Sequence, residues 1–118
     1  MTKLEALTAL RDKVKAGSWN GAYEDTRASG INTHSYGLNK AGMVWDAYNG
    51  SLDAAKALHE AVLPVRDYEI VARGNRRTVH VYEKPLDSFA STGVSLESTA
   101  RAWLLAILEA LIAKEKDT

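Results

Sequence analysis

Residues 100–113 read ARAWLLAILEALIA, and between Ala102 and Ala113 only Glu109 is polar. A helix on the surface of a small monomer shows an apolar stripe and a polar face. This one is apolar nearly all round, so it must be buried on more than one side. A chain of 118 residues has little surplus surface with which to cover it. The sequence therefore predicts self-association, with the last helix, a sheet edge or both forming the contact between copies.

The chain is one domain, residues 1–118. Lys and Arg number 15, Asp and Glu 15, so no net field recommends DNA, RNA or an acidic surface as partner. The absence of cysteine removes disulfides, thiol nucleophiles and thiolate metal sites, and suits a reducing compartment. The first ten residues, MTKLEALTAL, read as a capped helix and not as a secretory signal. The longest apolar run falls well short of the roughly 20 residues that span a bilayer, so no membrane is expected.

Thr2 and Glu5 form a capping box before Leu4, Leu7, Leu10 and Val14 at helical spacing, and Gly17 stops the helix. Residues 17–50 hold six of the eight glycines, with Trp19, Tyr23, Tyr36, Trp45 and Tyr48 among them. Loop is expected to about Asn39, then a short helix over residues 40–48. Ser51 caps a further helix whose stripe is Leu52, Ala55, Leu58 and Val62, ended by Pro64.

Residues 67–73 and 76–83 read as a hairpin around Gly74-Asn75, a two-residue loop with glycine first. That turn sets Arg73 opposite Arg76, Ile70 opposite Val79, Glu69 opposite His80 and Tyr68 opposite Val81. The register places Tyr68, Ile70, Ala72, Val79 and Val81 on one face, as a half-buried sheet requires. A lone hairpin is marginal, so helices should cover that face and a further strand should extend it. Residues 84–98 are rich in Ser and Thr and leave room for a short third strand before Ser98 caps the last helix.

Two stretches, GSLDAAKALHEAVLP at residues 50–64 and ARAWLLAIL within residues 100–113, resemble the phage ABA (alpha–beta–alpha) sandwich domain family, small accessory proteins of tailed phages. The resemblance implies a phage product acting in the cytoplasm of the bacterial host. It implies no catalytic residues, because the shared positions, such as Leu58, Trp103 and Ile107, read as packing residues. The stretches outside it, residues 17–39 and 84–98, are where an individual function should lie.

Arg73, Arg76 and Arg77 gather at the hairpin tip, where forked guanidinium groups grip phosphate or carboxylate. Arg73 and Arg76 repel if left alone, which invites an anion between them; the plain alternative is a solvated turn. Trp19, Tyr23, His34 and Tyr36 lie in polar, glycine-rich surroundings and could stack on a nucleobase, whereas Trp45 reads as core. His59 reads as a helix-face residue, and no H-E-x-x-H or other metal spacing exists. His80 opposite Glu69 is the one acid–base couple in reach of a hydrolytic role. Glu109 marks a solvent sliver of the last helix or pairs with a cation across a subunit boundary.

The expected fold is α+β: helices sandwiching a short antiparallel sheet in the order α, loop, α, α, β, β, loop, α. The expected function is non-enzymatic. A phage anti-defence protein would sequester a nucleotide-derived immune signal of the host, with Arg73, Arg76 or Arg77 and Trp19, Tyr23 or Tyr36 meeting at a site shared between subunits, without cofactor or metal. The alternatives are an inhibitor that binds a host defence protein directly, with Trp19 and Tyr23 as anchors, and a small hydrolase of a signalling nucleotide.

Overall fold

The computed structural model describes residues 2–31, 40–64, 66–82, 90–96 and 98–116. Its elements are α1 (Lys3–Ala16), α2 (Ala22–Ala28), α3 (Lys40–Tyr48), α4 (Leu52–Val62), β1 (Tyr68–Arg73), β2 (Arg76–Tyr82), β3 (Ala90–Ser95) and α5 (Thr99–Lys116). The class is α+β, with the antiparallel sheet in the order β1-β2-β3.

Local chemistry sets the boundaries. Thr2 and Glu5 exchange their two capping hydrogen bonds at 3.1 Å, and Gly17 closes α1 in a left-handed conformation, φ 73°. Ser51 Oγ accepts from Ala54 N–H, and Ser98 Oγ from Arg101 N–H, at the starts of α4 and α5. The hairpin has the register set by its turn, from Arg73 opposite Arg76 to Tyr68 opposite Val81. The third strand exists: β3 pairs with β2 from Arg77 opposite Ser95 to Tyr82 opposite Ala90.

Helix α5 is the centre of the molecule. β2 and β3 lie against one side of it, and α1, α3 and α4 against the others. Ten of its residues are buried, from Ala100 to Ile112. The expectation that a single chain cannot shelter this helix is overturned. The reason is the helix's small residues. A Cβ on Gly93 would fall 2.0 Å from the Ala102 carbonyl oxygen and 2.5 Å from the Ala106 nitrogen, so β3 rests backbone to backbone on α5. Alanines at 102 and 106 admit a neighbour this close, and little area is then needed for full cover. Glu109 is matched within the chain by Arg11 Nη1 of α1 at 2.9 Å.

Two further expectations are corrected. The stretch expected to be loop contains α2, which starts after Gly21 (φ 82°) and turns polar residues inward. Thr26 donates to the Ala22 carbonyl at 2.8 Å, Ser29 to the Thr26 carbonyl at 2.6 Å, and Asp25 is held by Lys13 of α1. The apolar stripe of α4, expected to run from Leu52 to Val62, centres on Ala55 and Leu58 with the buried His59 beside them, and Leu52 is exposed. Among the described residues no helix is long and apolar enough to cross a membrane.

Candidate anion-binding face

Because strand side chains alternate, the face of the sheet turned from α5 carries Glu69, Arg73, Arg76, Thr78, His80 and Val94. None of these is buried, so the described helices leave the face open. A depression of about 400 Å3 lies on it, lined by Glu69, Val71, Arg73, Arg76, Thr78 and His80.

Arg73 and Arg76 close the hairpin as a directly opposed pair. Like charges so placed are destabilising unless a counter-charge sits with them. Among the described residues neither takes part in an ion pair. Arg77 does not join them. It opposes Ala72 on the other face, and its Nη1 donates to the Gly74 carbonyl at 2.7 Å, folding the side chain back onto the turn. His80 faces Glu69 across the strands, but its Nδ1 is 2.9 Å from Thr92 Oγ1 on β3, so its hydrogen bond runs away from the carboxylate. Glu69 at the floor sets the polarity: the arginine end of the depression attracts an anion, and the Glu69 end favours hydroxyl or amino groups as donors.

The aromatic residues lie elsewhere. Trp19 packs between α1 and α2 against Trp45 and Tyr48, with ring centroids 5.0 and 4.9 Å away. Arg101 completes the cluster, its guanidinium 4.1 Å above the Tyr48 ring and its Nε donating to the Tyr48 carbonyl. Trp45, read as core, keeps 44% of its surface exposed. Within one chain Trp19 is thus in the helical layer, and Arg73 and Arg76 are on the opposite side of the sheet. The side chain of Tyr23, on α2, lies outside what is described, as do His34 and Tyr36 entirely.

A second cavity, about 190 Å3, lies between α1, the end of α2, α4 and the end of α5. Its walls include Leu7, Ile31 and Val62, and its Lys3 is paired with Glu115 at 3.3 Å. Ser29, Lys114 and Glu115 complete a lining as polar as it is apolar. No group of three metal-ligating side chains occurs among the described residues.

Sequence reasoning missed the Thr92 partner of His80, because it depends on where β3 pairs, and gave Thr78 no role, although the hairpin register alone sets it opposite Val71. Arg77 was grouped with the other two arginines, although strand alternation already sets it on the opposite face with Ala72. No protein-family model, curated protein or solved structure matches the chain.

Proposed function

We propose that the protein is a non-catalytic binding protein for a phosphorylated, nucleotide-derived small molecule, held on the open sheet face between Arg73 and Arg76. The observation that carries this reading is the opposed, unmatched guanidinium pair at the mouth of a depression large enough for part of a nucleotide. A phosphate bridging the two would convert a repulsion into two charge-assisted, forked contacts. Thr78 and His80 supply hydroxyl and imidazole groups alongside, and Glu69 can accept from a ribose hydroxyl or a base amine. The resemblance of residues 50–64 and 100–113 to a phage family adds the setting: sequestration of a host immune signal in the bacterial cytoplasm.

A thermal-shift screen against cyclic dinucleotides and ADP-ribose derivatives tests it. A ligand present at a hundred times its Kd adds about 2.7 kcal/mol to stability and raises the melting temperature by roughly 10 °C in a domain this size. Arg73→Ala and Arg76→Ala should each remove most of that rise, and the ligand should be recovered chemically unchanged. A panel that stabilises nothing, or stabilisation indifferent to both arginines, contradicts the proposal. Recovery of a cleaved ligand would favour the hydrolase reading through His80. The exposed Trp45 beside Trp19 favours one other reading, direct contact with a host protein. Its mark would be capture of a host protein that Trp45→Ala abolishes and Arg76→Ala leaves intact.

A further inference from the structure

Strand β1 has an unusual edge. Among the described residues no strand pairs with its outer side. Tyr82 N–H donates to the Asp67 carbonyl at 2.9 Å, so the odd-numbered residues of β1 spend their backbone groups on β2. The N–H and C=O groups of Tyr68, Ile70 and Ala72 therefore point away from the sheet. On the α5-facing side, Val79 and Val81 of β2 are fully buried, yet Tyr68 and Ile70 beside them remain 39% and 42% exposed. Native proteins commonly blunt such an edge with a lysine, a proline or a bulge. Residues 68–72, YEIVA, contain none of these.

The charges along the strand identify what would fit. Asp67 precedes β1, Arg73 ends it, and both side chains fall on the open face. An antiparallel copy of the same strand, centred on Ile70, sets Asp67 opposite the partner's Arg73 and Arg73 opposite the partner's Asp67. It also sets Ile70 against its own counterpart and Tyr68 against the partner's Ala72. Every outward backbone group then finds its ladder partner, and the exposed apolar surface of each copy continues into that of the other. A register centred on Glu69 would oppose two carboxylates.

We propose that the outer edge of β1 pairs with β1 of a second copy, antiparallel about Ile70, to join two sheets into one. This goes beyond the ligand reading and does not depend on it. In that dimer Arg73 is shared: one edge of its guanidinium meets the Asp67 carboxylate of the second copy and the other edge stays on the depression beside Arg76, so the pairing eases the repulsion of the two arginines and leaves one forked contact for an anion.

Sedimentation at tens of micromolar and a single-cysteine cross-link test it. The chain has no cysteine of its own, so no background disulfide forms. The wild type should sediment as a dimer. Arg73→Asp should be a monomer, and the double exchange Asp67→Arg with Arg73→Asp should be a dimer again. Ile70→Cys should form a covalent dimer under mild oxidation, because directly paired residues sit about 5.5 Å apart at Cα, within disulfide reach. Ala72→Cys should not. A monomeric wild type, a dimer that survives Arg73→Asp, or cross-linking through Val71→Cys in preference to Ile70→Cys overturns the proposal. The charge exchange keeps the test decisive should the cysteine variants fail to fold.

Discussion

Replacing His59 with leucine would strand two polar groups at once. Trp103 Nε1–H donates to His59 Nδ1 at 3.2 Å, and the other ring nitrogen donates to the Arg66 carbonyl at 2.7 Å. The imidazole thus ties α4 to α5 and to the chain entering β1, with the Tyr68 ring edge-on to His59 and tilted against Trp103. Each unsatisfied buried group costs about 1–3 kcal/mol, so His59→Leu should lose roughly 2–4 kcal/mol by urea denaturation. Lys13 and Asp25 make a comparable pair between α1 and α2, with the carboxylate buried. Breaking a fully enclosed pair costs about 3–5 kcal/mol; a third of the Lys13 side chain reaches water, so Lys13→Ala should cost about 2 kcal/mol. Asp25→Asn, which leaves unpaired only the Lys13 ammonium that reaches water, should cost less. Gly93→Ala is the severest of these changes, since its methyl would overlap the backbone of α5. It should lose about 3 kcal/mol or more, or fail to fold, as judged by melting temperature and soluble yield.

At the scale of elements, legibility follows how local the cause is. The hairpin register could be read completely because a two-residue turn fixes it and alternation checks it. Helix α1 could be read from its caps. The Glu5 carboxyl lies below its ordinary range, chiefly because it accepts the Thr2 backbone N–H and then the Thr2 hydroxyl. Its folded value is thus below its unfolded one. Its stabilisation is present at neutral pH and is lost as the pH falls from about the unfolded value of 4.5 through the lowered one. Thr2→Ala should cost about 1 kcal/mol at neutral pH and flatten the acid limb of the stability curve, measured by denaturation between neutral and strongly acidic pH. Helix α2 could not be read. Its inward residues Asp25, Thr26 and Ser29 are polar, so no apolar period announces it, and its stability comes from Lys13, a turn of α1 away in space. Strand β3 was half legible: Ser and Thr permit a strand, but only the close approach of Gly93 to Ala102 and Ala106 makes one necessary.

For the whole molecule, the lesson of α5 is that oiliness measured along the sequence overstates the cover a helix needs. Ala102 and Ala106 let β3 come close, and α1, α3 and α4 pack on the other sides, so one chain encloses the helix. Any pairing of copies must then use another surface, and among the described residues β1 joins the exposed Tyr68 and Ile70 to an outer edge that no strand pairs. The candidate site was legible in part for the same reason as the hairpin. The turn alone opposes Arg73 and Arg76 and sets Thr78 and His80 on the same face, whereas Thr92 acquires its place only through β3. The account stands on anion capture by that arginine pair. The most direct test is a two-dimensional NMR titration of the protein with pyrophosphate and then ADP-ribose, following backbone amides and arginine side chains. Saturable shifts confined to residues 69–80, with the largest at the Arg73 and Arg76 Nε–H groups, are the predicted result. No shifts, or shifts centred on Trp45 or on the cavity beside Lys3, would contradict it.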